Sequence, residues 1–431
     1  MIKPSAGNAP TVSVITLGCK VNQYDSDAML AVLAENGLEV RESAEFADVY
    51  ILNTCAVTAE AERKSRQTVG KLLKINPDAE IYVCGCASQN NFSQFARDGV
   101  KFISGTRGKI ELARELARRL TGEDDDGFFD KIVTPDFGPD GRYEDYRGSL
   151  SMRTRHYVKV QDGCNNFCSY CIVPYLRGRS RSRSLSGVLA EINDAALSAK
   201  ETVITGINLS AYGRDIGTSL ANLLTALQNC DMRIRLGSLE VGVIDDGFLA
   251  AAQGLKKFCP HFHLSLQSGD DGVLSDMNRR YTAAQYAEKT VLIKRYFPDA
   301  AITTDVIVGY PTESESAFRN SLDFCREIGF ADMHVFPYSS RKGTVAGRLS
   351  VLAPSVVNER QQAMIALKKE LNRAFLLSHI GKSAEVLFET KEDGMWCGHT
   401  RDYVKVYSTY GARNTVAEVV PTALYQDGVR V

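Results

Sequence analysis

Three cysteines stand at a C-x3-C-x2-C spacing in the stretch VQDGCNNFCSYC, at Cys164, Cys168 and Cys171. Structural zinc sites usually combine two pairs of ligands, and this stretch offers no fourth Cys or His at a suitable spacing. Three thiolates on one loop instead match a [4Fe–4S] cluster whose fourth iron stays open. An open iron can chelate S-adenosylmethionine and cleave it reductively to a radical. The spacing therefore favours an iron–sulfur site, with a zinc knuckle as the alternative.

A second set of cysteines follows three buried-strand patterns in the N-terminal part of the chain. The stretches TVSVITLGC, ADVYILNTC and EIYVCGC end at Cys19, Cys55 and Cys86. Because the carboxyl ends of parallel strands meet at one edge of a sheet, neighbouring strands would bring these thiols together. The alternative is that they are small buried apolar residues. Cys84 lies on the same predicted strand face as Cys86, and we favour Cys86 because it follows Gly, as Cys19 does.

A row of arginines follows the C-x3-C-x2-C loop, at Arg177, Arg179, Arg181 and Arg183. If this stretch is extended, alternate residues share a face and the guanidinium groups line up beside the cysteine loop. Guanidinium groups suit bidentate contacts with phosphate, so the row predicts a contact with a phosphate backbone. The alternative is a solvated strand face with a few ion pairs.

The elements predicted around the first three cysteines alternate strand with helix. Helix-like spacing covers residues 24–36 and 58–75, between the buried-strand patterns. Alternation of this kind is typical of a parallel sheet with crossover helices. We therefore expect an α/β protein that begins with an open parallel α/β sheet domain.

The middle of the chain repeats the strand–helix theme about six times, from HYVKVQ to MHVFPYS. Such repetition predicts a partial (β/α)6 barrel, and barrel active sites are built on the loops that follow the strands. The C-x3-C-x2-C loop follows the first of these strands. A long charged helix is expected from Pro354 to about Ser378, and four short alternating strands then predict a small all-β barrel.

These patterns divide the chain into four predicted segments. We expect the sheet domain over 1–121, the partial barrel over 152–378 and the small β-barrel over 379–431. The segment 122–151 between the first two holds nine acidic and three basic residues together with Gly and Pro. It is interpreted as a linker or a long surface loop without chemistry of its own.

Composition limits the classes of function. A length of 431 residues predicts two or three domains, and a net charge of −1 argues against wholesale coating of a nucleic acid. Any RNA contact must then come from local patches. The chain shows no signal-peptide core and no run that approaches a membrane span, so we expect a cytoplasmic location. Eleven cysteines in that compartment indicate metal, redox or core roles rather than disulfides.

The motifs together resemble one family. LGCKVNQYDSD, NTCAVTAEAERKSRQ and CGCASQ stand in the order found in the radical S-adenosylmethionine methylthiotransferases. Downstream, GCNNFCSYCIVPYLRGRSRSR, HLSLQSGDDGVLSDMNRRYT and TDVIVGYPTESESAF agree with the same family. The resemblance covers nearly the whole chain, and the C-terminal barrel stands where the family has its RNA-binding TRAM module.

The resemblance implies two [4Fe–4S] clusters and two uses of S-adenosylmethionine. The cysteines at 19, 55 and 86 would hold a cluster that carries the sulfur to be inserted and receives a methyl group. The cysteines at 164, 168 and 171 would hold the cluster that cleaves a second S-adenosylmethionine. The resulting 5′-deoxyadenosyl radical would take the hydrogen from C2 of a modified adenine.

The resemblance also implies where S-adenosylmethionine is held. Tyr170 matches the aromatic residue that family members place against the adenine ring, and backbone groups near Gly206 would hold the methionine part. The other expected contacts end candidate barrel strands, and they are Asn208, Ser238, Glu240 and Gln267. The alternative for each is the ordinary polarity of a strand end.

Three substrate classes are familiar in this family: isopentenyl-adenosine in tRNA, threonylcarbamoyl-adenosine in tRNA, and an aspartate of a ribosomal protein. The form LGCKVNQYDS is most similar to the threonylcarbamoyl-adenosine class, which implies a tRNA partner and a flavodoxin- or ferredoxin-like electron donor. The C-terminal barrel is not basic, so a packing or capping role is an alternative to RNA binding there. The remaining alternatives are the other two substrate classes and a non-catalytic iron–sulfur protein that binds RNA.

Overall fold

The computed structural model describes residues 10–123, 127–130, 142–147 and 153–431. These residues form two compact units. Unit 1 comprises the described residues up to 147, together with Asp162–Asn165 and Cys171–Arg183. Unit 2 comprises residues 153–161, together with Asn166–Tyr170 and Ser184–Val431. The C-x3-C-x2-C loop thus contributes residues to both units.

The strands, numbered along the chain, are β1 Thr11–Thr16, β2 Glu39–Arg41, β3 Val49–Thr54, β4 Glu80–Gly85, β5 Val100–Ile103, β6 Arg155–Asp162, β7 Arg181–Ser182, β8 Glu201–Gly206, β9 Arg233–Leu236, β10 His261–His263, β11 Ala301–Val308, β12 Asp332–Pro337, β13 Ala384–Glu392, β14 Met395–Thr400, β15 Lys405–Ser408, β16 Thr415–Val419, β17 Ala423–Tyr425 and β18 Gly428–Arg430. The α-helices are α1 Lys20–Glu35, α2 Ala59–Ile75, α3 Cys86–Asn90, α4 Lys109–Thr121, α5 Val173–Arg177, α6 Leu185–Ala195, α7 Leu220–Ala226, α8 Asp246–Gln253, α9 Asp271–Asp276, α10 Ala283–Tyr296, α11 Glu315–Ile328 and α12 Pro354–Leu377.

The sheet of unit 1 has the order β2-β1-β3-β4-β5, and every neighbouring pair is parallel. Alternate residues of a strand point to opposite faces. Val49 and Ile51 of β3 accordingly join an apolar cluster with residues of α1 and α4, whereas Tyr50 and Leu52 join a second cluster with residues of α2. The predicted open parallel sheet is confirmed. The short edge strands β2 and β5 were not predicted.

Part of the acidic segment 122–151 lies within the described residues and packs on unit 1. The rings of Phe128 and Phe129 both lie 5.3 Å from the ring of Phe102. Further along, the Tyr146 hydroxyl donates a hydrogen bond of 2.5 Å to Asp25. At these positions the segment is part of a folded unit, while its acidic run at 124–126 lies outside the described residues.

Unit 2 begins with parallel strands. β6, β8 and β9 pair in parallel, as do β10, β11 and β12, and a parallel bridge joins Leu239 to Leu264 between the two groups. Phe262, Ile302 and Met333, from the last three strands, belong to the cluster that packs against the surrounding helices. The alternate residues of these strands lie on the opposite face, which we call the inner face. The predicted partial (β/α)6 barrel is confirmed.

The C-terminal sheet of unit 2 has six strands in the order β16-β13-β14-β15-β18-β17. Its pairs are antiparallel except for β15 with β18. Val386, Phe388 and Val406 lie in its buried core. The predicted all-β module is confirmed, and β17 and β18 form a short final hairpin that the sequence did not indicate.

This C-terminal sheet contacts the residues with which the barrel strands begin. Arg155, the first residue of β6, donates a hydrogen bond of 2.6 Å to Glu389. Arg233, the first residue of β9, donates one of 2.8 Å to Glu385. The sheet therefore contacts the amino-terminal ends of these barrel strands, which lie opposite the carboxyl ends.

Candidate iron–sulfur sites

Sharp turns place the first three cysteines. Gly18 has φ +102°, and a Cβ there would lie 2.7 Å from the Cβ and the Sγ of Cys55. Glycine thus allows the turn before Cys19 to approach Cys55 closely. Cys55 itself directly follows β3, and Cys86 begins α3. These thiols are electrostatic neighbours: burial raises the pKa of Cys55 to about 12, and Cys86 and Cys19 add to the shift.

Thr54 connects the Cys55 and Cys86 turns. Its hydroxyl donates to the carbonyl of Cys84 at 2.6 Å and accepts from the backbone N–H of Ala87 at 3.1 Å. Gly85 has φ +105°, and a Cβ there would lie 2.5 Å from the Thr54 carbonyl oxygen. The two cysteine-bearing turns therefore lie in direct backbone contact.

Asn22 connects the Cys19 turn to the Cys55 turn. Its side-chain amide donates to the carbonyl of Leu17 at 2.8 Å and to the carbonyl of Thr54 at 2.9 Å. Asn22 and Thr54 are fully buried, so the amide supplies the Thr54 carbonyl with a donor where water does not reach it. The sequence analysis missed this residue, although it lies in the quoted stretch LGCKVNQYDSD.

Cys84 and Cys86 do not share a face, contrary to the prediction. Cys84 is fully buried and joins the apolar cluster of α1 and α4, whereas Cys86 joins the cluster on the other side of the sheet. The reason is that the turn at Gly85, with its positive φ, ends the strand and starts α3 before Cys86. Burial raises the pKa of the Cys84 thiol to about 12, as expected for an inert core cysteine.

Two buried cations lie beneath the first cysteine set. The Arg177 guanidinium donates to Asn22 Oδ1 at 2.6 Å and to Asp162 at 3.1 Å. Lys109 Nζ pairs with Asp25 at 2.6 Å, and both of these side chains are 1% exposed. Burial opposes the charge of Arg177, but Cys86, Asp162 and Asp25 outweigh it and raise the pKa of Arg177 well above its usual value.

The predicted row of four exposed arginines is wrong. Arg177 ends helix α5 and is fully buried, and Arg181 and Arg183 are buried as well. Each is paired with a carboxylate of unit 1, Asp162 for Arg177 and Arg181 and Asp145 for Arg183. Gly178, with φ +76°, breaks the extended geometry on which the prediction rested. Of the row, Arg179 is exposed.

The C-x3-C-x2-C loop is divided between the units. Cys164 and Cys171 belong to unit 1 and are partly exposed, whereas Cys168 belongs to unit 2 and is buried. In unit 1, the Cys164 N–H donates to the Gly178 carbonyl at 3.1 Å. Gly163 has φ +71°, and a Cβ there would lie 2.0 Å from the carbonyl oxygen of Arg179. The loop thus requires glycine directly before its first cysteine.

In unit 2, Arg279 connects Cys168 to a predicted cofactor contact. Its guanidinium lies 3.3 Å from Cys168 Sγ and 3.2 Å from Glu240 Oε1. Asn166 also donates a hydrogen bond to Glu240, and the side-chain amide of Asn278 donates to the Asn166 carbonyl at 3.0 Å. The sequence did not predict a contact of Arg279 with the cysteine loop, because the two are far apart along the chain.

Four of the other predicted cofactor contacts lie at or beyond the carboxyl ends of barrel strands, whereas Tyr170 lies in the cysteine loop. Gly206 ends β8, and the Gln161 side chain accepts a hydrogen bond of 2.7 Å from the Asn208 N–H. Ser238 follows β9 and is exposed, and Gln267 has φ +72° beside β11. Tyr170 packs beside the cluster of Val273, Met277, Tyr310 and Ala346. The roles of these residues remain predictions.

Known proteins match both parts of this arrangement. The family model described as uncharacterized protein family UPF0004 matches residues 11–105, and the radical SAM superfamily model matches residues 158–325. The threonylcarbamoyladenosine tRNA methylthiotransferase MtaB of Bacillus subtilis (strain 168) is 34% identical, over 97% of this chain and 94% of the relative. The chain belongs to the radical SAM methylthiotransferase family.

Other relatives show the breadth of the family. MtaB of Thermotoga maritima is 35% identical over 92% of this chain and 90% of its own length. A tRNA-2-methylthio-N(6)-dimethylallyladenosine synthase of Pelotomaculum thermopropionicum is 33% identical over 95% of this chain and 94% of its own length. Among solved structures, the radical S-adenosylmethionine methyltransferase TsrM of Kitasatospora setae has a TM-score of 0.56 at 15% identity, covering 79% of this chain and 77% of TsrM. That likeness concerns the fold alone.

Membership of this family makes the chain a radical SAM enzyme that transfers sulfur, with S-adenosylmethionine and a [4Fe–4S] cluster as cofactors. The thiols at 164, 168 and 171 fit such a cluster in number and spacing. In the part of the chain that the structure describes, every helix is too short or too polar to span a bilayer.

Proposed function

We propose that this methylthiotransferase acts on N6-threonylcarbamoyladenosine in tRNA, next to the anticodon, and inserts the methylthio group at C2 of the base. The observation that carries the proposal is the full-length similarity to relatives named for threonylcarbamoyladenosine, at 34% and 35% identity. The motif LGCKVNQYDS supports the same class, because Lys20 and Val21 stand where the isopentenyl class tends to have Gln and Met.

A second [4Fe–4S] cluster is proposed on Cys19, Cys55 and Cys86. The neighbouring thiols, the two glycine turns and the buried Asn22 support this assignment. When bound, the two clusters supply the electron for cleavage of S-adenosylmethionine and a carrier for the sulfur that is inserted. Radical chemistry is required because acid–base catalysis does not activate an aromatic C–H bond of this kind.

The protein's own residues have three tasks in this proposal. Asn22 and Thr54 fix the positions of the first cysteine-bearing turns relative to one another through their hydrogen bonds. Arg279 orients Cys168 relative to Glu240, which we propose contacts the ribose of S-adenosylmethionine. The positive charges of Lys109 and Arg177 lie beneath the first cysteine set and favour the thiolate forms that bind iron.

For the RNA contact, we propose Arg179 in place of the original row, because its side chain is exposed beside the cysteine loop in sequence. Arginine suits the phosphate backbone but carries no base specificity. A flavodoxin- or ferredoxin-like electron donor and a cytoplasmic location complete the proposal.

The test is mass spectrometry of tRNA nucleosides from a bacterial strain that lacks its own methylthiotransferases and expresses this chain. We expect the 2-methylthio derivative of threonylcarbamoyladenosine to appear, and the dimethylallyladenosine pool to stay unchanged. A variant with Cys164, Cys168 and Cys171 replaced by alanine is the matched control and should yield no product. Methylthiolation of dimethylallyladenosine instead would assign the chain to the other tRNA class. Unmodified tRNA together with a methylthiolated ribosomal protein would overturn the RNA substrate altogether.

A further inference from the structure

Three potential metal ligands that play no part in the proposed iron–sulfur chemistry meet in unit 2. They are His263, Asp305 and His334, and one ligand atom of each lies within 4.8 Å of the others. Each comes from a different strand, β10, β11 and β12, which are neighbours in one parallel group. In sequence these residues are about forty and thirty positions apart, so only the fold brings them together.

Strand register explains why the three side chains meet. Asp305 pairs directly with His334 across β11 and β12, and His263 pairs with Thr303. Thr303 and Asp305 are two residues apart and therefore share a face of β11. The neighbouring residues Ile302 and Val306 pack against the helices, so the cluster of ligands lies on the inner face.

The imidazole of His263 is held in an orientation that suits a metal ligand. Its Nδ1 lies 3.0 Å from the Thr303 hydroxyl, and its Nε2 lies 3.2 Å from Asp305 Oδ2. Thr303 also lies 3.0 Å from His261 Nε2, which fixes the hydroxyl in turn. Metal-binding histidines commonly use their second ring nitrogen in a hydrogen bond of this type, because it sets the tautomer and the ring plane.

We propose that His263, Asp305 and His334 form a mononuclear site for a borderline divalent cation such as Zn²⁺. Two imidazoles and one carboxylate are a donor set that such ions prefer. The carboxylate between the rings favours a cation over an anionic ligand. Three protein ligands leave at least one coordination position for water or a substrate oxygen. The proposal stands independently of the proposed substrate.

Other histidine–carboxylate pairs in unit 2 provide a comparison. His379 Nε2 lies 2.6 Å from Asp402, and His156 Nε2 lies 3.0 Å from Glu191. Within the described part of the chain, neither pair belongs to a group of three ligating residues, whereas the His263 cluster does. His379 is therefore a matched control for a histidine that has a carboxylate partner but no third ligand in the described part of the chain.

The experiment uses the reconstituted holoenzyme, dialysed anaerobically against about ten micromolar ZnCl2, with zinc and iron measured per chain. We expect the wild type to hold about one zinc more than a His263→Gln, His334→Gln double variant, since those are two of three ligands. His379→Gln should match the wild type. Zinc bound in vacated cysteine sites contributes equally to all samples and cancels in the difference.

Two further measurements keep the proposal falsifiable. Zinc K-edge absorption of the zinc that distinguishes wild type from the double variant should show N/O ligands at about 2.0–2.1 Å and no sulfur. Added zinc should raise the unfolding temperature of the wild type but not of Asp305→Asn, a variant of nearly the same shape. The proposal is overturned if the wild type, the His263→Gln, His334→Gln double variant and His379→Gln all hold the same amount of zinc at equal iron content. The proposal is also overturned if the zinc that is present in the wild type and absent from the double variant has mainly sulfur ligands.

Discussion

Asn22 joins two of the three cysteine-bearing turns of the first set through a single side chain. One buried amide group binds the carbonyls that precede the Cys19 and Cys55 turns, and its oxygen accepts from Arg177. Cys84 illustrates the opposite situation at the same scale: it is fully buried, close in sequence to Cys86, and packed in a cluster of apolar side chains. Residue type and closeness in sequence do not distinguish the core residue Cys84 from the predicted ligand Cys86, but their contacts do.

Replacing Asn22 by alanine should loosen the first cluster without removing the second. The variant leaves the buried Thr54 carbonyl, the partly buried Leu17 carbonyl and one guanidinium donor without their amide partner, which costs about 1–3 kcal/mol for each unsatisfied buried group. We expect reconstituted protein to lose up to about four of about eight irons. Asn36→Ala is the control, because Asn36 is exposed and its side-chain amide donates to the carbonyl of Val32 in the adjoining helix α1. Full iron content in Asn22→Ala would contradict the positioning role.

The two neighbouring cysteines should respond differently to alanine. Cys84→Ala removes a small buried group and should cost about 1 kcal/mol of stability while retaining about eight irons. Cys86→Ala should retain about four, with the loss confined to the first cluster. Iron and sulfide analysis with electron paramagnetic resonance of the reduced proteins checks both. The reverse pattern would show that Cys84 is the ligand.

At the scale of elements, glycine turns at strand ends decide where the thiols lie. Gly18 and Gly85 both have positive φ, and in both places another cysteine-bearing turn passes within van der Waals distance of the missing Cβ. Parallel strands bring the turns to one edge of the sheet, and the glycines allow the turns to touch. The same device recurs at Gly163 before Cys164.

Gly85→Ala should therefore be severe, whereas Gly37→Ala should be mild. The added Cβ at Gly85 meets the Thr54 backbone at 2.5 Å, in addition to strain at φ +105°. We expect a loss above about 3 kcal/mol in denaturant unfolding and loss of the first cluster. Gly37 has φ +79° with nothing within 4 Å, so its variant reports the backbone strain alone, about 1 kcal/mol. Similar losses of stability in the two variants would show that the close approach of the Thr54 backbone to Gly85 is not the cause.

At the scale of the whole chain, five of the six predicted cluster ligands belong to unit 1, and Cys168 belongs to unit 2. Unit 2 adds the carboxyl ends of the barrel strands and the C-terminal sheet, which contacts their amino-terminal ends. Tyr403 is central to that contact: its ring stacks at 4.8 Å on both His261 and His399, and the Arg235 guanidinium lies 4.7 Å from its centroid.

Tyr403→Ala should weaken the attachment of the C-terminal sheet. Because Tyr403 is about one-third exposed, we expect a cost of about 2 kcal/mol rather than the larger loss typical of a fully buried aromatic residue. Limited proteolysis should then cut more readily after residue 378. Tyr410→Ala is the control, since that ring is 55% exposed. Unchanged proteolysis in Tyr403→Ala would show that the polar contacts alone hold the sheet.

Replacing Cys19, Cys55 and Cys86 together by alanine should separate the two halves of the reaction. Cleavage of S-adenosylmethionine depends on the other cysteine set, so the variant should still make 5′-deoxyadenosine under reducing conditions. It should form no methylthio product, because nothing remains to hold the sulfur. Methylthiolated tRNA from the folded variant would show that these cysteines are structural. Iron content and unfolding temperature on the same sample exclude a general collapse.

The sequence by itself determined the parallel sheet, the partial barrel and the C-terminal β module, because hydrophobic periodicity is a local property of the chain. It also indicated two sets of cysteines, whose role as cluster ligands stays a prediction. Only the tertiary structure decided which charged side chains are buried and which carboxylates they pair with. Arg177, Arg181 and Arg183 alternate as an exposed strand would, yet Asp162 and Asp145 fold against them and bury them. The contacts of Asn22 with Thr54, of Arg279 with Cys168, and among His263, Asp305 and His334 join residues that are distant in sequence. These contacts follow from strand register and from compensation of buried charge, which no local pattern encodes.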